Sequence, residues 1–306
     1  MSPSERDSVL VQWIKPSSDN EKVQQERAIH MVTEAINSRD AFEDSDIEIY
    51  AKGSYRNRTN VRLDSDVDIS VELKDCMYYE YFRDVDTSQA PTATPYSGGW
   101  TPDKWRAEVV AALEEYFGSS SVDTTGKIAI NIPAVAGSRP SIDIVPSFDF
   151  TRYDDAAQTP SRASNGSCVF PKGSYTKTVN WPQQQYDNGV LKNDNTGRRY
   201  KRFVRALKNS ENVLVKAGLI EPLASYLMEC LIYNVDNYYF NVTTDDLEQS
   251  FGRVLLALRE RLKLDETEPM VEPNELKYLF RGDKKWTIKD AIGLVDNTLS
   301  FMGYLN

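Results

Sequence analysis

The chain has 306 residues, 40% of them hydrophobic and 27% charged, with 46 acidic against 36 basic side chains and a formal net charge of −10. Such a composition supports a substantial core, but it offers no global positive field to hold a polyanion by counterion release, so long nucleic acid is a poor partner. A small triphosphate needs only a local patch of Lys and Arg and stays within reach of an acidic protein. The cysteines Cys76, Cys168 and Cys230 lie far apart without a CxxC pair or a neighbouring histidine, which points to a reduced cytosolic setting rather than a zinc site. The single histidine, His30, excludes a two-histidine metal site and leaves any Ser/His or Cys/His nucleophile dependent on one residue. Its helical, polar surroundings make it a surface residue. No signal-peptide pattern opens the chain, and no apolar run approaches the ~20 residues of a membrane span, so the expectation is a soluble cytoplasmic protein with no membrane partner.

In chain order, Ser18-Asp19-Asn20-Glu21 has the form of a capping box, and Ile29, Val32 and Ile36 follow at helical spacing up to about Ser38-Arg39-Asp40. Ile47, Ile49 and Ala51 alternate as in a half-buried strand that Gly53-Ser54 ends. Val67, Ile69, Val71 and Leu73 alternate again, which places Asp66, Asp68, Ser70 and Glu72 together on the other face. Thr101-Pro102-Asp103 reads as a helix start whose buried face is Trp105, Val109, Leu113 and Phe117. Ile128, Ile130 and Ile132 alternate, and after the turn at Gly137-Ser138-Arg139-Pro140 a short strand covers 141–145. From about Phe148 to Gly197 the composition turns to Ser, Thr, Asn, Gln and Pro with little periodicity, which predicts a long irregular connection of the functional kind. Helices are expected over Tyr200 to Val215, Pro222 to Tyr238, Leu247 to Leu262 and Thr287 to Met302, the third with an apolar stripe from Leu247 to Leu262. The domain reading is a mixed α/β core over 1–150 including an N-terminal helix, an irregular connection over 151–198, and a helical lobe over 199–306.

The informative constellation is Gly53-Ser54, then Asp66-Val67-Asp68-Ile69, then Ile142-Asp143-Ile144. Two acids on one strand face and a third between apolar residues of another strand would converge at one sheet surface as oxygen ligands for a hard cation. Octahedral Mg²⁺ accepts that arrangement and fills its other positions with water and substrate phosphates. Gly53 permits a close backbone approach that a Cβ would obstruct, and Ser54 adds a hydroxyl. Singly these features are commonplace, since DxD arises by chance in any acidic chain and Gly-Ser is a frequent turn. In this order and on predicted strands they resemble the polymerase β-like nucleotidyltransferases, whose pattern is a Gly-Ser turn, Asp-hydrophobic-Asp-hydrophobic, and a later hydrophobic-Asp-hydrophobic. That resemblance implies catalytic metal ligands at Asp66, Asp68 and Asp143, two Mg²⁺ or Mn²⁺ ions, and an α+β fold: a mixed sheet backed by helices, followed by a helical C-terminal lobe, bilobed with the active site in the cleft.

Further segments are similar to the bacterial relatives of cyclic GMP-AMP synthase, the CD-NTases. These are Gly53-Ser54-Tyr55-Arg56-Asn57-Arg58-Thr59-Asn60 with the following Asp64-Ser65-Asp66-Val67-Asp68, Trp181-Pro182 with Tyr186-Asp187-Asn188-Gly189, the basic helix from Arg199 to Lys208, and the run from Pro222 through Ser225-Tyr226 to Cys230. The similarity covers most of residues 20 to 240. It implies phosphate contacts from Lys201, Arg205 or Lys208, a place near the same phosphates for Ser225, and stacking of Tyr226 on a base. It puts Asn180 near the base, where an amide could match the O4 and N3–H edge of uracil, so at least one pyrimidine substrate, UTP, is expected. The implied activity is synthesis of a cyclic di- or trinucleotide second messenger from triphosphates, with pyrophosphate release, in bacterial anti-phage (CBASS) signalling, where an effector responds to the product. A template-independent or small-molecule nucleotidyltransferase and a catalytically inactive nucleotide sensor are the alternatives.

Overall fold

The computed structural model describes residues 1–61, 66–92, 96–241, 246–264 and 266–305. Asp64 and Ser65 of the DSDVD motif lie outside the described residues. The chain divides into two compact units, one of Ser18–Tyr55 and Ser65–Gln183, the other of Met1–Ser17, Arg56–Asp64 and Gln184–Asn306.

The first unit is built on a mixed sheet. Its strands are β1 (Ile47–Ala51), β2 (Val67–Tyr81), β3 (Ile130–Ile132), β4 (Ile142–Tyr153), β5 (Ala163–Val169) and β6 (Thr178–Asn180). They run in the order β1-β2-β4-β5-β6, with β3 also on β4. Among the described residues only the β2–β4 pair is parallel; β1–β2, β3–β4, β4–β5 and β5–β6 are antiparallel. The alternation of β2 does what its period demands, for Val67, Ile69, Val71 and Leu73 are fully buried. The opposite face is also covered along part of its length. Ser70 and Glu72 are buried there, Ser70 Oγ lies 2.8 Å from Ser147 Oγ, and Glu72 accepts from Tyr50 Oη at 2.7 Å and Lys74 Nζ at 2.9 Å. Polar side chains tolerate that burial because each has a partner.

Two helices back this sheet. Helix α2 (Asp19–Asn37) starts at the capping box read from the sequence: Ser18 Oγ accepts from Glu21 N, and the Glu21 carboxylate accepts from Ser18 N. It buries Ala28, Val32, Ala35 and Ile36 and leaves His30 exposed. Helix α4 (Pro102–Phe117) is capped by Thr101 Oγ1, which accepts from Lys104 N, and buries Trp105, Val109 and Leu113. The labels follow chain order, so α1 (Pro3–Trp13) and the short α3 (Gly53–Asn57) complete the set before α4.

Several expectations need correction. The segment 151–198 is not irregular: it carries the end of β4, then β5, β6 and α5 (Pro182–Asn195). The β5 sequence ASNGSCV lacks an apolar alternation, and its strand conformation comes from pairing with β4 from Phe148↔Cys168 to Tyr153↔Ala163. Ile128 stands 42% exposed ahead of β3 instead of within it. Gly53-Ser54 does more than end a strand, since it begins α3.

The second unit is helical: α1 with α6 (Arg199–Lys216), α7 (Ser225–Tyr233), α8 (Asn237–Phe240), α9 (Leu247–Lys263) and α10 (Ile288–Met302). Its core joins Leu10 of α1 to Phe203 and Leu207 of α6, Leu227 and Leu231 of α7, Phe251 and Leu255 of α9, and Leu294 and Leu299 of α10. The helix expected over Pro222 to Tyr238 is two. It is interrupted at Asn234, whose Nδ2 donates to Cys230 O and Val271 O while Oδ1 accepts from Val271 N. Among the described residues no helix is long and apolar enough to cross a membrane.

Candidate active site

Pairing of β2 with β4 sets Asp68 directly beside Asp143, one strand spacing away in a parallel register that also aligns Val67 with Ile142 and Ile69 with Ile144. The flanking residues Val67, Ile69, Ile142 and Ile144 are fully buried, so their hydrophobicity fixes which face the two carboxylates take. Asn131 of β3, opposite Asp143 on its other side, donates Nδ2 to Asp143 Oδ1 at 2.9 Å and to Ser141 Oγ at 3.0 Å. Asp143 is thus held in one orientation. Asp66 is exposed and immediately precedes β2.

Gly53 closes in on the same place. It has φ +67°, a conformation that favours glycine, and a Cβ built on it would fall 2.2 Å from Asp68 Oδ2 and 3.0 Å from Asp68 Cγ. The backbone of Lys52 donates to Asp68 O at 2.9 Å. The Lys52 ammonium has a pKa below the ordinary lysine value because it is desolvated by burial; the charges of Asp68, Glu72 and Asp143 oppose that shift. The Tyr55 phenol is pushed up to about 12, first by desolvation and then by the carboxylates of Glu21, Asp66 and Asp68. Asp66 and Asp68 therefore act on one neighbouring group.

Among the described residues no three His, Cys, Asp or Glu side chains are gathered closely enough to hold a metal ion by themselves. The donor set nonetheless suits Mg²⁺, which binds through one or two carboxylates and keeps its remaining positions for water and substrate phosphates. Paired Asp68 and Asp143 supply such oxygens, and the missing Cβ of Gly53 keeps room at Asp68 Oδ2.

The other residues singled out from the sequence are placed as follows. Ser54, second in α3, is partly exposed. Asn180 ends β6, exposed and paired with Ser167. In the helical unit Lys201 and Arg205 line one cavity of about 660 Å³. Arg205 is buried, with Nε donating to Ile14 O at 2.8 Å and Nη1 to Arg58 O, so its guanidinium ties the end of α1 to residue 58. Its pKa is lowered to about 10 by burial and by the neighbouring Arg202. Lys208, farther along α6, is buried outside that cavity. Ser225 is exposed at the start of α7. Tyr226 donates its hydroxyl to Glu272 at 3.3 Å and meets Trp286 edge to face.

Lys52 and Asn131 were not singled out by sequence, although a polar residue between Ile130 and Ile132 was a usable signal for Asn131. Glu229 was passed over in the same way. Buried at 3% exposure among Leu227, Met228, Cys230 and Leu231, it accepts from Asn57 Nδ2 at 3.0 Å, Thr59 Oγ1 at 2.7 Å and Gln185 Nε2 at 2.9 Å. It thereby anchors the residues that follow Gly53-Ser54. A charged residue inside an apolar helical run was its signature.

Carboxylates on adjacent strands beside a glycine that has no room for a side chain, within a mixed sheet backed by helices, agree with the nucleotidyltransferase class that the comparisons with known proteins show. The chain aligns over 97% of its length with 99% of the CdnE cyclic dinucleotide synthase of Elizabethkingia meningoseptica, solved with GTP and Apcpp, at TM-score 0.78 and 29% identity. With the CdnE c-UMP-AMP synthase of Rhodothermus marinus, solved with Apcpp and Upnpp, it shares the fold at TM-score 0.82 and 22% identity, over 98% of this chain and 97% of that one. Residues 187–303 match the cGAS/DncV-like nucleotidyltransferase C-terminal helical domain. The cyclic dipyrimidine nucleotide synthase CdnE of Legionella pneumophila is 36% identical over 276 residues, 90% of each chain. The chain belongs to the cGAS/DncV-like nucleotidyltransferases, the CD-NTases, and is an enzyme of cyclic oligonucleotide synthesis.

Proposed function

We propose that the chain joins nucleoside triphosphates, at least one of them UTP, into a cyclic di- or trinucleotide that a separate effector reads in anti-phage defence. The observation that carries the chemistry is the in-register pair Asp68–Asp143 with Gly53 against Asp68. In this reading Asp66, Asp68 and Asp143 are the metal ligands. Two Mg²⁺ or Mn²⁺ ions bound there would polarise the attacking ribose hydroxyl and stabilise the departing pyrophosphate. The proton of the attacking hydroxyl would pass to Asp143, oriented by Asn131, or to a metal-bound hydroxide. Gly53 lets the triphosphate approach the backbone, and Ser54 offers it a hydroxyl. A second attack closes the ring after the linear intermediate turns round.

The pyrimidine preference rests on relatives and on one side chain. The Legionella pneumophila enzyme and a second relative from Cecembia lonarensis, 35% identical over 295 residues, are both cyclic dipyrimidine nucleotide synthases. Asn180, exposed at the end of β6, presents a donor and an acceptor to a base edge, which gives residues 151–198 a share in base selection. Of the three α6 residues singled out from the sequence, Lys201, Arg205 and Lys208, Lys201 is the one that is not buried and is the first choice for a phosphate contact; Ser225 and Tyr226 would serve the same nucleotide.

The test is incubation of the purified chain with each pair of radiolabelled triphosphates and Mg²⁺ or Mn²⁺, followed by phosphatase and chromatography. A resistant, UMP-containing product is expected, and Asp68→Asn or Asp143→Asn should remove it while the protein stays folded. Retained synthesis in either variant rejects the assignment. A single nucleotide transferred to another molecule would instead indicate a small-molecule nucleotidyltransferase.

A further inference from the structure

The sheet face that carries Asp68 and Asp143 also carries a lysine. Lys52 follows the last residue of β1, whose pairing with β2 runs through Tyr50↔Ser70 and Ala51↔Ile69, and the bond from Lys52 N to Asp68 O at 2.9 Å carries the ladder one residue further. Residues opposed across an antiparallel pair share a face, and so do residues two apart on one strand. Lys52 therefore stands on the face of Asp68. Tyr50, two residues before it, fixes the direction by donating its hydroxyl to Glu72 of that face at 2.7 Å.

The charges on this face sort into two groups. Lys74 Nζ is committed to Glu72 at 2.9 Å and to Asp149, with Glu48 at 3.9 Å, and Glu72 also accepts from Tyr50. Lys52 is partly buried, and among the described residues it makes no ion pair within 4.0 Å. The acids whose charge reaches its ammonium are Asp68, Glu72 and Asp143, and Glu72 already has its partners. What remains is a cation beside the Asp68–Asp143 pair.

Two carboxylates one strand spacing apart repel each other, and a compact ammonium near both offsets that repulsion. Burial opposes the charge of a lysine, and an apolar side chain would fill the same place without that cost. The positive charge also acts on whatever else the carboxylates attract. A divalent cation bound to Asp68 and Asp143 meets Lys52 as a like charge, so its affinity for the site reflects the attraction of the acids less the repulsion of the lysine.

We propose that Lys52 is a positioning residue, the resident counter-cation of the Asp68–Asp143 pair: it holds the two carboxylates together in the metal-free protein and weakens divalent-cation binding to them. The inference rests on the assignment of Asp68 and Asp143 as metal ligands.

The test is a titration of the nucleotide-free full chain with Mn²⁺, followed by the electron paramagnetic resonance signal of the free ion. Asp68→Asn should lose most of the binding, which shows where the ion sits. Lys52→Met, which removes the charge, should bind Mn²⁺ about fivefold more tightly or better, while Lys52→Arg, which keeps it, should stay within about twofold of wild type. Lys104→Met removes the same charge at an exposed position of α4 and should change nothing. The sign separates this role from a purely structural one, because damage to the fold weakens a site and does not tighten it. Lys52→Gln, neutral and polar, repeats the measurement if Lys52→Met does not fold. Unchanged or weaker binding in the neutral variants, with binding still lost in Asp68→Asn, overturns the role of Lys52 alone, as does equal tightening in Lys52→Arg or Lys104→Met. Full binding in Asp68→Asn, or none in wild type, overturns the metal-ligand assignment and this inference with it.

Discussion

Replacing Gly53 by alanine separates the cost of backbone strain from the cost of a displaced carboxylate. At φ +67° an L-residue pays about 1 kcal/mol of left-handed strain, a fall in Tm of about 3 °C for a unit of this size. The new Cβ would also sit 2.2 Å from Asp68 Oδ2, where real contacts do not fall below 3.0 Å. The far end of the Asp68 side chain gives way more readily than backbone, so little further stability is lost, but the carboxylate must retreat by about 1 Å, a misplacement that costs roughly 10²-fold in rate. Gly173 is the matched control: its φ is +69° and a Cβ there meets nothing within 4 Å. Thermal melts and labelled-nucleotide turnover of Gly53→Ala and Gly173→Ala should show similar Tm values and a hundredfold difference in product formation. Activity of Gly53→Ala within about threefold of the control would refute the placement of Asp68 in the catalytic machinery.

Three other outcomes follow from single side chains. Asn131→Ala frees Asp143 from its 2.9 Å hydrogen bond and should lower kcat about tenfold with KM little changed, at a stability cost of about 1 kcal/mol; a KM effect alone would argue against a role in orienting the base. Glu229→Ala strands the buried donors of Asn57, Thr59 and Gln185 and should cost about 3 kcal/mol in urea unfolding, with Glu229→Gln recovering part of it. Lys192 donates to Val235 O and has its pKa lowered by burial to about 8. Between that value and the ordinary lysine range the unfolded chain binds more protons than the native one, so native stability gains with rising pH. Wild type should gain on Lys192→Met between pH 8 and pH 10, by at most about 2 kcal/mol once solvent screening is allowed for; parallel stability profiles for the two proteins would contradict the depressed pKa.

What could be read from the chain depended on how local the cause was. The alternation of Val67, Ile69, Val71 and Leu73 marks a strand wherever it occurs, and it brought Asp68 with it. Asp143 was legible from its two isoleucines. That the two strands run parallel with Asp68 opposite Asp143 was not, because the register joins residues distant in sequence and nothing local encodes it. The polar strand β5 owes its conformation to β4, and the break between α7 and α8 is fixed by the contact of Asn234 with Val271, again a distant partner. On α6 the basic residues were visible as a group, but only packing decides that Arg205 and Lys208 are buried while Arg202 reaches solvent.

The same distinction governs the electrostatics. A net charge of −10 describes the field felt by a large polyanion, which must contact a broad surface and meet the acidic side chains spread over it. A ligand of a few ångströms feels instead what lies within a Debye length, about 8 Å at physiological salt. Inside the cavity of the helical unit that neighbourhood is six cations and one acid, the reverse of the chain's average. The local field in that concavity is set by its own lining and not by the chain's average, so the overall charge that argues against a polymer substrate argues nothing against a triphosphate. Charge reversal on the outer surface, away from the cavity and the carboxylates, should therefore strengthen nucleic-acid binding in a salt-dependent manner without changing KM for nucleoside triphosphates.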